Sequence, residues 1–276
     1  MASAGPATLR FTKHEGAGND FLVLVDPRDE VRLGEAEVRN LCDRRRGVGA
    51  DGDVRVRAGD GRAQLAMELH NADGTIAETS GNGLRCLAQA AVQAGLVASP
   101  RFRVLTGAGV VPVDYQPAGG PGEDRATVDM GAVRLVGAPT TDGEGRPAQR
   151  ADTGNPHLVV RCEDPAGIDL ARVGPGLARS DPAGLNVEFV ALGPGRDELT
   201  IRVWERGVGE TWACGSGSCA AAAVARAWGL VGDRVRVRNP GGTLEVALSP
   251  GEGGPVLLSG PVRRVAEVSI ERDVLS

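Results

Sequence analysis

The sequence predicts an α+β fold built from two similar halves, and three observations carry that prediction. The 41 glycines and 17 prolines are spread throughout the chain, which suits many short strands joined by turns. Strand-like runs occur at 11–25, 54–56, 66–70, 101–105, 126–130, 158–161, 187–192, 199–204, 234–238 and 244–248, while helical patterns occur only at 35–44, 84–94 and 218–228. Last, the chain repeats itself. Ser80-Gly-Asn-Gly83 opens one Ala-rich helix and Cys214-Gly-Ser-Gly217 opens another, 134 positions later. Gly81 and Gly215, Gly83 and Gly217, Gly95 and Gly229, Leu96 and Leu230, and Gly107 and Gly241 share that offset; Gly18-Asn19 and Gly154-Asn155 share an offset of 136. A period of nearly half the chain length implies duplicated halves facing each other across a cleft.

Each element has a local reason. The 35–44 segment places apolar residues at 38, 41 and 42, one face of a helix. The two Ala-rich helices each end at a glycine placed as a C-cap, Gly95 and Gly229. The 66–78 stretch reads as a hairpin, because Asn71-Ala-Asp-Gly74 supplies a turn between two short apolar runs.

Composition excludes whole classes of function. The 276 residues are 41% hydrophobic and 24% charged, enough apolar material to fill a core. Net charge is −5, with the charges well mixed; no basic tract could neutralise a row of phosphates, so nucleic acid is not an expected partner. No apolar run approaches the ~20 residues of a membrane span. The start, Met-Ala-Ser-Ala-Gly-Pro, lacks the charged and apolar regions of a secretory signal. Five cysteines at 42, 86, 162, 214 and 219 form no disulfide framework and suit a cytoplasmic location. Lys13 is the only lysine, which disfavours a pyridoxal Schiff base; His14, His70 and His157 are not at metal-ligand spacing, and no metal is expected.

Gly47-Val-Gly-Ala-Asp-Gly52 fits G-x-G-x-x-G literally. Its context is wrong for a dinucleotide site, since charged residues precede it and a strand-like run follows it. The paired turns at 80–83 and 214–217 are more informative. Two glycines just before a helix leave N–H groups free at its N-terminus, a ready site for a carboxylate or phosphate. The same field favours a thiolate at Cys214. Cys42, Cys86, Cys162 and Cys219 read as core. Asn19, Asn71, Asn82, Asn155 and Asn186 recur in turn-rich settings, where asparagine serves the backbone; several such amides with one arginine would also suit a small zwitterion.

The runs His14-Glu-Gly-Ala-Gly-Asn-Asp-Phe21, Asn71-Ala-Asp-Gly74, Ser80-Gly-Asn-Gly83, Gly154-Asn-Pro-His157, Glu205-Arg-Gly-Val-Gly-Glu-Thr211 and Ala213-Cys-Gly-Ser-Gly217 resemble the diaminopimelate epimerase family, in that family's order and over nearly the whole chain. The resemblance implies an enzyme, without cofactor, that interconverts LL- and meso-diaminopimelate for lysine and cell-wall synthesis, usually as a homodimer. It implies two pseudo-symmetric halves, 1–132 (joined by 262–276) and 133–261, each a mixed or antiparallel sheet wrapped around a central helix. It assigns Cys214 as one proton carrier and Ser80 to the other position. Asn19, Asn71, Asn155 and Asn186 would hold the distal part or backbone of the substrate, and a buried Arg206 its distal carboxylate. Gly81, Asn82, Gly215 and Ser216 would offer N–H groups to the reacting carboxylate, with Glu205 and His157 at the amino group or tuning the bases. Gly52 stands where some relatives carry a ligand-contacting Gln. The family uses cysteine at both turns, so Ser80 departs from it. Ser80 is then an engineered change, a native Ser/Cys pair as in proline-racemase-like relatives, or the mark of a paralogue acting on another amino acid; a diamino-acid binding protein with impaired epimerisation is the other reading. Glu78 and His70 are the nearby groups that could activate a serine.

Overall fold

The computed structural model describes residues 6–119, 123–251 and 253–275. The reading of the chain start falls largely on residues 1–5, outside the described residues. Two compact units emerge, one of residues 1–128 with 261–276, the other of residues 129–260.

Unit 1 contains β1 (Thr8–Gly16), β2 (Asn19–Val25), α1 (Glu35–Cys42), β3 (Gly52–Ala58), β4 (Leu65–Asn71), β5 (Ile76–Ala77), α2 (Gly81–Gln93), β6 (Arg101–Thr106), β7 (Gly109–Gln116) and the start of β8 (Asp124–Ala132). Its ladders run β1·β2 antiparallel, β2·β3 parallel, β3·β4 and β4·β5 antiparallel, β4·β6 parallel, then β6·β7 and β7·β8 antiparallel. The run 11–25 is thus two strands, broken where Ala17 and Gly18 take positive φ. The hairpin at 66–78 forms as expected, with Gly74 at φ +86°.

Unit 2 contains β9 (Arg134–Thr141), β10 (Pro147–Asp152), β11 (Pro156–Arg161), a short 3₁₀ turn, α3 (Leu170–Ala178), β12 (Asn186–Leu192), β13 (Glu198–Glu205), β14 (Gly209–Thr211), α4 (Gly215–Ala227), β15 (Arg234–Asn239), β16 (Gly242–Leu248) and the start of β17 (Pro255–Glu271). After β9·β10, its ladders repeat the unit 1 series: β10·β11 antiparallel, β11·β12 parallel, β12·β13 and β13·β14 antiparallel, β13·β15 parallel, β15·β16 and β16·β17 antiparallel. The second part of β17 pairs with β1 in unit 1. The fold is therefore α+β, with the duplication that the sequence offset foretold.

Each unit has one helix inside its strands. Residues 81–91 of α2 are all buried, as are nearly all of residues 215–225 of α4. Small residues make this possible, because Ala and Gly let strands approach on every side of a helix. The other helices cover a second face. In unit 1 α1 closes a core of Leu9, Phe11, Leu22, Leu24, Val38 and Leu41; in unit 2 α3 packs with Leu158, Val187 and Phe189.

The structure corrects some boundaries. α2 and α4 begin three residues before the apolar periodicity, because their first turns are glycine-rich caps. α1 stops at Cys42, where Asp43 turns extended. α3 was hidden by Gly174-Pro-Gly176; Gly174 is needed there because an added Cβ would lie 2.7 Å from the Trp204 ring. Gly47 and Gly49 form the turn between α1 and β3, as expected in place of a dinucleotide loop; a Cβ on Gly47 would lie 1.9 Å from the Asn40 carbonyl oxygen. Cys42, Cys86 and Cys219 are buried, but Cys162 is only half-buried.

Both central helices end in the same way. Gly95 (φ +67°) and Gly229 (φ +71°) take the left-handed conformation. Their N–H groups bond Val92 and Arg226, and Leu96 and Leu230 bond back to Ala91 and Ala225. Nothing lies near a Cβ at either glycine, so only backbone strain opposes a side chain there. Gly95→Ala and Gly229→Ala should each cost about 1 kcal/mol, matched within a few tenths, in urea unfolding.

Candidate active site

The two glycine turns are helix N-caps. Ser80 is extended (φ −148°, ψ 126°), and its Oγ accepts the Gly83 N–H at 3.1 Å. Cys214 is extended (φ −128°, ψ 118°), and its Sγ accepts the Gly217 N–H at 3.3 Å. Each cap satisfies one of the four N–H groups that a helix start leaves without an internal partner. The neighbouring N–H groups of Gly81 and Asn82, and of Gly215 and Ser216, belong to the same first turns and share their positive field.

In unit 1 Asn82 is buried and its Nδ2 donates to Asn19 Oδ1 at 2.9 Å; Asn19 in turn donates to Asp51 at 2.7 Å. Asp51 and Asp20 are held by Arg44, and Asp20 also pairs with Lys13 at 2.8 Å. The Oδ1 of Asn82 is buried with no hydrogen-bond partner. Asn71 is exposed and donates to Thr75 Oγ1 at 3.0 Å. Gly52 offers no side chain and has room for none, since a Cβ would lie 2.3 Å from the His70 carbonyl oxygen. Among the described residues, no hydrogen bond joins Ser80 to Glu78 or His70. His70 meets Asp53, Nδ1 to Oδ1 at 3.0 Å.

Unit 2 gathers more. Ser216 Oγ lies 3.5 Å from the Cys214 sulfur. Glu205 Oε1 accepts from Thr211 Oγ1 at 2.6 Å. His157 is fully buried, with Nδ1 2.7 Å from Glu188 Oε1 and Nε2 3.1 Å from both Thr153 Oγ1 and Asn155 Oδ1. Asn186 is buried, and its Oδ1 accepts the Arg206 N–H at 2.8 Å. Arg206 itself is exposed rather than buried; one guanidinium N–H donates to the Ala183 carbonyl at 2.8 Å. Its position at the tip of β13 places the side chain over Gly184, outside the core.

Protonation follows from these neighbours. Burial pushes the Glu205 carboxyl up from the ordinary range. The Cys214 thiol is raised well above its ordinary value, first by burial, then by the charges of Glu205 and Glu188. The expectation of a thiolate at Cys214 is therefore reversed for the free chain: the helix end lowers the sulfur's pKa, but desolvation and two carboxylates outweigh it. Glu188 is the residue that sequence reasoning missed. Its signal was a lone acid inside the apolar run 187–192.

The repeat sharpens the contrast between the turns. At the same offset as Ser80 and Cys214, Asn71 corresponds to Glu205 and Val54 to Glu188; in the parallel ladders Phe21 opposes Gly52 as His157 opposes Asn186. Each ionisable neighbour of Cys214 is thus matched in unit 1 by a neutral residue. Among the described residues no cluster of His, Cys, Asp and Glu could hold a metal ion, and no helix is long and apolar enough to cross a membrane.

The diaminopimelate epimerase family profile matches residues 11–136 and 150–265. A diaminopimelate epimerase of Thermobifida fusca is 42% identical, over 97% of this chain and all of its own length. One from Cyanothece is 38% identical, over 94% of this chain and 98% of its own. Solved structures share the fold at low identity. A PhzF-family phenazine biosynthesis protein of Bacillus anthracis has a TM-score of 0.73 at 16% identity, covering 95% of this chain and 99% of its own. A hydroxyproline epimerase of Agrobacterium vitis with bound trans-4-hydroxy-L-proline has a TM-score of 0.69 at 16% identity, covering 98% and 94%.

Two histidines should titrate in opposite directions from the usual 6.5. The Asp53 hydrogen bond raises His70, while burial lowers His14. His70 therefore adds stability that is full below pH 6.5 and is lost as pH rises through its folded value. His14 works against the fold at low pH, its share of stability falling as pH drops from 6.5 through its depressed value. Proton NMR titration should place the His70 midpoint above 6.5 and that of His14 below, with His70 moving down in Asp53→Asn.

Proposed function

The chain belongs to the diaminopimelate epimerase family, and on that premise we propose that it interconverts LL- and meso-diaminopimelate by proton transfer at the α-carbon, without a cofactor. Cys214 and Ser80 are the two proton carriers. The observation that carries this reading is the duplicated N-cap: two units with the same strand series each present one proton-bearing side chain on the first turn of a buried helix.

A proton α to a carboxylate is weakly acidic, so the carbanion needs preorganised donors. The N–H groups of Gly81 and Asn82, and of Gly215 and Ser216, are the donors offered to the reacting carboxylate. Inversion also needs one group to take the proton and another to return one on the opposite face. Cys214 begins protonated, beside the carboxylate of Glu205. Transfer of the S–H proton to Glu205 leaves a thiolate and a neutral carboxyl; the raised Glu205 pKa aids that transfer and the raised pKa of the buried sulfur opposes it. The thiolate then takes the α-proton, and the Ser80 hydroxyl returns its own proton from the other face; water reprotonates the alkoxide that remains. Removal from the Ser80 face must first generate that alkoxide, and among the described residues no base is hydrogen-bonded to Ser80, so that step limits the rate.

Asn19, Asn71, Asn155 and Asn186 hold the rest of the substrate. Arg206, exposed and with donors to spare beyond Ala183, takes the distal carboxylate. His157 and Glu205 attend the amino group; Gly52 contributes only backbone. The free cysteines support a cytoplasmic location. The exposed Leu135 and Val136 on β9 support a homodimer, which sedimentation can check.

Incubation in D2O tests the reading. Deuterium should enter the α-position of both isomers, more slowly where the Ser80 face must remove the proton. Ser80→Cys should speed the slow direction by about 10², and Cys214→Ala should abolish exchange through its face. No deuterium in either isomer, with binding retained, would leave a diamino-acid binding protein.

A further inference from the structure

The third residue of each central helix is a glycine, and what sits against it differs between the units. A Cβ on Gly83 would meet Val54 Cγ2 at 3.5 Å and Leu69 Cδ1 at 3.6 Å, ordinary apolar contacts. A Cβ on Gly217 would lie 2.6 Å from Glu188 Oε1 and 3.2 Å from Cys214 Sγ. The carboxylate of Glu188 therefore occupies, beneath the Cys214 turn, the place that a valine methyl occupies beneath the Ser80 turn. Glu188 is fully buried, and its Oε2 has no hydrogen-bond partner. A buried carboxylate oxygen left unpartnered is costly for the fold, and such a group calls for a functional explanation.

We propose that Glu188 is the positioning residue of the Cys214 turn: clamped by His157 and seated against Gly217, its carboxylate holds a negative charge beside the sulfur that the Ser80 turn lacks. This rests on the reading of Cys214 as a proton carrier. Glu188 acts in two ways. It accepts from His157 Nδ1 at 2.7 Å, which fixes that proton and aims Nε2 at Thr153 and Asn155. Its charge also adds to that of Glu205 in keeping the sulfur protonated. The groups that face Cys214 are then Glu205 from β13, Glu188 from β12 with His157 behind it on β11, and Ser216 from α4 itself. Gln is the informative replacement, since its amide oxygen can still accept from His157 while the charge is gone. Asp keeps the charge and shortens the reach.

The test is the pH dependence of Cys214 modification by methyl methanethiosulfonate in the free protein, followed by peptide mass mapping. In the unaltered chain the rate should climb only as pH rises past about 9, the ordinary thiol range being lower. Glu188→Gln should move that climb to lower pH and raise the rate near pH 8 about tenfold or more. Glu188→Asp should stay within about threefold of the parent, because the charge is retained. Superimposable profiles for the parent and Glu188→Gln would overturn the proposal. So would a parent sulfur that already reacts as a thiolate at neutral pH, a result that needs no variant to fold. Neither measurement uses diaminopimelate, so they stand apart from the epimerase reading, which the D2O experiment decides. Where epimerisation is present, Glu188→Gln should also shift the pH profile of kcat/KM downward, which a loss of packing alone would not do.

Discussion

A helix start leaves four N–H groups without internal partners, and each of the two central helices of this chain meets part of that demand with the side chain of its N-cap, Ser80 or Cys214. Ser80 and Cys214 each accept the third N–H of their helix, and that one bond fixes where the oxygen and the sulfur point. The glycines of each first turn then follow. Gly217 must lack a side chain because Glu188 and the sulfur crowd its Cβ position. The helices must be small and buried so that strands can surround them, and each unit's ladder series does so in the same order.

The duplication was legible in the sequence because its marks are backbone requirements. The glycines at 81, 83 and 95 and at 215, 217 and 229 cannot drift without cost to a cap or a left-handed turn, so the offset survived where side chains diverged. The sequence reading passed over α3 and the strands β7, β9, β10, β14 and β17, and in two of these the local signal conflicts with the structure. In α3, Pro175 and two glycines contradict a helix, and the packing of Trp204 overrides them. β9 has eight exposed residues and therefore no buried face to produce an alternating pattern.

The site was legible in part. Asn19 and Asn82 do meet, and His157 and Asn155 do meet, as turn-borne amides near a cap can. What the sequence could not convey was the electrostatic balance at Cys214. A helix N-terminus argues for a thiolate, and composition does not reveal that Glu188 and Glu205 converge on the same sulfur from two strands. That convergence depends on ladder register, in which a shift of one residue would send Glu188 to the opposite face.

Register also explains how one fold can carry two unlike half-sites. Asp53 and His70 form a buried polar pair in unit 1 at the positions where unit 2 has Val187 and Trp204, an apolar pair. Val54 and Glu188, one residue further along, reverse the assignment: the apolar residue is in unit 1 and the carboxylate in unit 2. Within each ladder, adjacent residues face opposite sides, so the polar group lies away from the central helix in unit 1 and against it in unit 2. The same backbone thus sets a valine methyl beneath the Ser80 turn and a carboxylate beneath the Cys214 turn. A strand pair can exchange its polar and apolar positions without altering a single main-chain hydrogen bond, and that freedom lets duplicated halves diverge in acidity while keeping one geometry.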